Sequence, residues 1–158
     1  MILFTAFHIA HDAAQQLLHS VMTRHLGKEC LWQPVNKIHL TLNYLGRVNP
    51  IELPKLKIAL KNRLKSAKKM TVKITHTDLL AHETLVAFVH RTERLYQLQE
   101  NIKSILSPFH QFNDKHQFKP HITLARKYTS MKKTAYHAHP TIIDLNCITL
   151  LESQISQS

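Results

Sequence analysis

KIHLTLNYL, residues 37–45, returns in the second half of the chain as KPHITLARKY, residues 119–128. The shared form is Lys-x-His, an aliphatic residue, Thr and Leu, and each block alternates as a half-buried strand does. Successive side chains of a strand point to opposite faces, so His39 and Thr41 share one face while Leu40 and Leu42 take the other. The same split sets His121 and Thr123 against Ile122 and Leu124. Each strand therefore offers an imidazole beside a hydroxyl, with an apolar anchor behind. Two such strands brought together about a pseudo-twofold axis enclose a cleft holding two imidazoles and two hydroxyls.

The flanking sequence supports two comparable halves. Residues 2–9 (ILFTAFHI) read as a first strand. Asp12 is placed to cap a helix in which Ala13, Leu17, Leu18, Val21 and Met22 recur at helical spacing, ending near Gly27. Trp32 and Pro34 mark a connecting loop into the first motif, which Gly46 and Pro50 close. From Pro54 to Lys69, Leu56, Leu60, Leu64 and Ala67 line one face of a helix. Strands over 70–76 and 84–91 follow, separated by a turn at His82 and Glu83. A helix carrying Leu95, Leu98, Ile102, Ile105 and Leu106 then stops before Pro108. The second motif predicts a strand over 120–128, and residues 141–151 (TIIDLNCITLL) predict the last. This order gives an α+β fold in a single domain spanning 1–158.

Composition narrows the function classes. Twenty-one Lys and Arg against ten Asp and Glu leave a formal charge of +11, which favours an anionic partner such as RNA. Cys30 and Cys147 lie far apart without CxxC spacing, so a disulfide scaffold or cysteine-rich zinc site is excluded and reduced thiols are expected. No apolar run approaches the ~20 residues of a membrane span. The first residues lack the basic start of a secretory signal, so we expect a cytoplasmic protein.

The repeated His-x-Thr carries the chemistry. Cleaving a phosphodiester with water needs a base for the water's proton and an acid for the leaving oxygen. Histidine serves either role near neutral pH. The threonine hydroxyls can donate to the non-bridging oxygens, where negative charge gathers. This design requires no metal and no cofactor. His137 with His139 and His8 with His11 lack a third ligand at diagnostic spacing and read as surface histidines. Lys55, Lys57, Lys61, Arg63, Lys65, Lys68 and Lys69 read as the solvated face of their helix. Phe4, Phe7 and Trp32 could stack on a base, but core packing is the expectation for each.

With these motifs in place, the sequence resembles the two-histidine (2H) phosphoesterases. More narrowly, it is similar to the RNA 2′,3′-cyclic phosphodiesterases once called 2′-5′ RNA ligases. The likeness includes LFTAF near the start, Trp32 before IHLTLNYLG, LVAFVH, FKPHITLAR and LLES near the end. Departures are Ile2, where the family usually has arginine, and a loop from His76 to His82 without the usual glycine. Relatives also commonly continue past LLES into another short strand. The resemblance implies two pseudo-symmetric lobes of antiparallel sheet with outer helices around a central cleft. It implies that His39 is the proton donor to the leaving ribose oxygen and His121 the proton acceptor. Thr41 and Thr123 would hold the phosphate, and Arg126 would touch the phosphate or a neighbouring nucleotide. Strict strand parity sets Arg126 on the face opposite His121, so it must reach around or be turned by a bend. The implied partner is RNA or an oligonucleotide with a 2′,3′-cyclic phosphate end, handled by a monomer away from membranes. Chemistry on 2′-5′ linkages, or nucleotide binding without turnover, are the alternatives.

Overall fold

Alternating sequence becomes strand and helical spacing becomes helix along the chain, in a computed structural model that describes residues 1–25, 29–64, 69–81, 83–112, 117–129 and 141–153. The elements are β1 (Ile2–Ile9), α1 (His11–Met22), β2 (Leu31–Trp32), β3 (His39–Arg47), α2 (Leu53–Leu64), β4 (Met70–Leu80), β5 (Thr84–Val89), α3 (Glu93–Leu106), β6 (His121–Arg126) and β7 (Ile142–Glu152). Three local expectations change. The strand expected over 70–76 runs on to Leu80, so most of the stretch expected as a loop from His76 is strand paired with β5. Leu31–Trp32, expected in a loop, is a short strand because it pairs with Arg126 and Ala125 of β6. Asp12 lies inside the first turn of α1, whose N-cap Ala10 makes no side-chain bond, so its carboxylate complements the helix dipole and is not the cap. The expected end of that helix near Gly27 and the turn expected to extend α2 over 65–68 lie outside the described residues, as do His82, His137 and His139. By contrast α3 is capped by side chain, with the Leu95 N–H donating to Thr92 Oγ1 at 3.2 Å.

The sheet runs β2-β6-β3-β1-β7-β4-β5, and β5 also pairs with β6, so six of the strands form a closed circuit. Every recorded pairing is antiparallel. From the β3–β6 contact the circuit reads β3, β1, β7 one way and β6, β5, β4 the other, meeting where β7 pairs with β4. Helix α1 lies between β1 and β3 in the chain, and α3 between β5 and β6. These are the two pseudo-symmetric lobes that the repeated motif implied. The motif strands touch at a single pair, Leu40 opposite Ile122.

The helices share one core with the backs of the motif strands. Leu40, Ile122 and Leu124 are fully buried, in one cluster with Leu17, Leu56, Leu95 and Ile102. On α2, Leu56 and Leu60 are buried while Lys55, Lys57 and Lys61 are exposed, which is the solvated outer face expected of it. Because Leu40 and Ile122 form the seam between lobes, truncating either to alanine should cost about 2–5 kcal/mol of stability. Urea unfolding measures this; a loss below about 1 kcal/mol would mean that the seam collapses without leaving a cavity.

Candidate active site

Both motif strands carry the same irregularity. Opposite β1, Thr5 pairs with Asn43 and Ala6 with Thr41, so Leu42 is an extra residue in β3. Opposite β5, Leu85 pairs with Ala125 and Val86 with Thr123, so Leu124 is an extra residue in β6. The final leucine of each His-x-Thr-Leu is thus a β-bulge, and a bulge reverses side-chain parity beyond it. In β3 it leaves Leu42 and Asn43 buried and turns Tyr44 outward. In β6 it leaves Leu124 and Ala125 buried and turns Arg126 outward. Ala125, which strict parity places beside His121, faces the core instead, and the bulge is the bend that turns Arg126 onto the face of His121 and Thr123.

The two imidazoles are held alike. His39 donates from Nδ1 to the carbonyl of Lys37 at 2.7 Å, and His121 from Nδ1 to the carbonyl of Lys119 at 2.7 Å. A carbonyl only accepts, so Nδ1 carries the proton in both rings, and Nε2 is left to exchange protons with a ligand. The register of the Leu40–Ile122 pair sets His39 across from Thr123 and Thr41 across from His121. All four side chains are half-buried.

Beside them lies a cleft of about 620 Å³, whose lining includes His39, Thr41, Arg126, Phe4 and Tyr44. His121 and Thr123 are not part of that lining; they stand next to it on β6, where Phe88 of β5 packs 6.3 Å from the His121 ring. Phe4 is half-buried with its ring 5.1 Å from that of His39. Its expected place in the core is therefore corrected. Phe4 and His8 fall on the cleft face of β1, whereas Leu3, Phe7 and Ile9 are buried. Phe7 is a core residue as expected, and Trp32 packs half-buried against the core's edge.

Burial lowers the pKa of His39 below the ordinary imidazole value. Its bond to the Lys37 carbonyl works the other way, and the positive charges of His8, Arg126 and His121 lower it further. The free site thus favours a neutral His39, and an anion placed among these groups favours the charged form. Sequence reasoning did not find Tyr44 or His8. His8 needed the position of β1 in the sheet, and Tyr44 needed the bulge.

A closed antiparallel circuit with two His-x-Thr strands meeting at its seam defines a phosphoesterase of the two-histidine class. The chain belongs to the 2′-5′ RNA ligase superfamily, whose family model matches residues 10–142. Solved structures share the fold. The protein TT0787 of Thermus thermophilus superposes with a TM-score of 0.80 at 19% identity, covering 99% of this chain and 90% of that one. E. coli LigT complexed with 3′-AMP gives 0.76 at 20% identity, again over 99% and 90%. The MHV ns2 PDE domain gives 0.67 at 18% identity, over 96% and 99%. Among curated proteins none matches in sequence. Among the described residues no helix is long and apolar enough to cross a membrane.

Proposed function

We propose that the chain is an RNA 2′,3′-cyclic phosphodiesterase, opening a terminal ribose cyclic phosphate to a 2′-phosphate by histidine acid–base catalysis. The observation that carries this reading is the matched anchoring of the two rings, each Nδ1 bonded to the carbonyl two residues upstream at 2.7 Å. Water attacks phosphorus as His121 Nε2 takes its proton. The bond from phosphorus to O3′ breaks, and His39 Nε2 gives its proton to the departing oxygen. Thr41 and Thr123, one beside each ring, donate to the non-bridging oxygens, and Arg126 adds fixed positive charge. The leaving ribose lies on the His39 side, over the cleft lined by Phe4 and Tyr44, whose size suits one nucleotide. The formal charge of +11 favours an RNA end as substrate. LigT was crystallised with the ribonucleotide 3′-AMP.

The test is whether substoichiometric protein opens adenosine 2′,3′-cyclic phosphate and cyclic-phosphate RNA ends to 2′-phosphates. Stoichiometric binding without turnover would make it a nucleotide-binding module. Adding an RNA with a 5′-hydroxyl separates ligation, in which that hydroxyl replaces water and a 2′-5′ linkage forms. Among the described residues no three His, Cys, Asp or Glu side chains converge as metal ligands. We accordingly expect the rate to survive exhaustive chelation. Loss in chelator with recovery on adding zinc, magnesium or manganese would recast the histidines as ligands.

A further inference from the structure

A third imidazole enters the same cleft. His8 on β1 pairs directly across from His39 on β3 and lines the same cavity. Side chains directly opposite on neighbouring strands stand about 4.5–5.5 Å apart at Cβ. His8 is also held by Nδ1, which donates to the carbonyl of Ile9 at 2.8 Å. When the ring is charged, Nε2 is therefore its free donor.

The charges around His8 are of one sign. His39 and Lys37 lie on or before β3, and Arg126 comes from β6. On β7, Asn146 and Cys147 lie in the register shift opposite His8. The cleft's carboxylate, Glu152, is paired with Leu3 at the other end of β1. That other end is aromatic, with Phe4 opposite Tyr44. The cleft thus has a cationic end and an aromatic end on either side of the position proposed for the ribose. A nucleotide's 5′ substituent and its base leave the ribose in different directions, and they differ in the same way: one is an anion and the other a planar ring.

We infer that His8, with Lys37 beside it, forms a second anion subsite that takes the 5′-phosphate of the terminal nucleotide. In an RNA chain this is the internucleotide phosphate one residue in from the end. This inference rests on the proposed reaction for its orientation. The subsite selects RNA ends over free nucleoside cyclic phosphates without reading sequence, because every residue of the chain carries that phosphate.

The experiment compares kcat/KM for adenosine 2′,3′-cyclic phosphate with and without a 5′-phosphate. The protein should prefer the phosphorylated form by about tenfold, the size of one charge-assisted hydrogen bond at a solvent-open site. In His8→Gln the ratio should fall towards one through KM, and His8→Lys should retain it, since the charge is what acts. Lys37→Gln, which keeps the backbone carbonyl that holds His39, should lower the ratio in the same sense. Equal use of both substrates by the unmodified protein, or an unchanged ratio in His8→Gln, overturns the assignment. If neither substrate is turned over, the proposed reaction fails and the subsite is judged by binding alone. Calorimetric titration with adenosine 2′,5′-bisphosphate and 2′-AMP should then show the same tenfold difference, lost in His8→Gln; equal affinities would remove the subsite.

Discussion

Alanine in place of either His39 or His121 should lower the cyclic phosphodiesterase rate by about 10²–10⁴-fold, the usual worth of one positioned proton transfer. The folded state should survive, because both side chains are half-exposed and each makes one bond to a carbonyl at the strand's start. Acid and base act in one transition state, so their losses do not add, and the double variant should be little slower than either single one. Steady-state rates with circular dichroism as a check on folding decide the matter. A single variant that keeps more than about a tenth of the rate would remove that histidine from the proton transfer. Asparagine at each position is an informative companion, since it can keep the bond to the carbonyl while supplying no imidazole.

The second large effect is on pH. The acid must be charged and the base neutral, so the rate should be bell-shaped and fall about tenfold per pH unit beyond either limb. Burial, and after it the positive charge on His8, Arg126 and His121, lower the pKa of His39. Its charged form in the free protein is therefore lost at lower pH than for an ordinary histidine. The alkaline limb of kcat/KM, which reports the free protein, should accordingly lie below ~6.5. A bound phosphate supplies the missing counter-charge and raises the pKa, so the alkaline limb of kcat should sit higher. His39→Ala should lose the alkaline limb from its residual rate, and His121→Ala the acidic one. The wild-type limbs belong to the coupled pair, so the variants are what separate the roles. If His39→Ala loses the acidic limb instead, the donor and acceptor are exchanged.

The four motif residues were legible because local periodicity carries them. His39 and Thr41, and His121 and Thr123, fall two apart on strands that the alternation alone defines, and the repeat sets them in matching places. Arg126 and Tyr44 were not legible by parity, because a bulge is decided by the neighbouring strand. Leu42 and Leu124 continue the alternation in sequence and lose their partners only against β1 and β5. Phe4 and His8 needed long-range knowledge of another kind. Their strand has an apolar composition on both faces, and only its position between β3 and β7 says which face is a cleft. The strand at Leu31–Trp32 escaped for the same reason, since two residues acquire strand character by pairing with β6.

The position of β1 also has a consequence for how the chain is made. One edge of it pairs with β3, soon after it in sequence, but the other pairs with β7, translated last of the strands described. On the ribosome, the strand bearing Phe4 and His8 must wait with that edge unpaired until β7 has been made. Contacts of such high sequence separation make folding slow. An open apolar edge meanwhile is a template for pairing with another chain. Thr5, Ala6 and Phe7, all buried once β7 arrives, belong to the segment most exposed to that hazard. Completion of the cleft and protection of the nascent chain are thus the same late event, the docking of Ile142–Glu152 alongside the first strand.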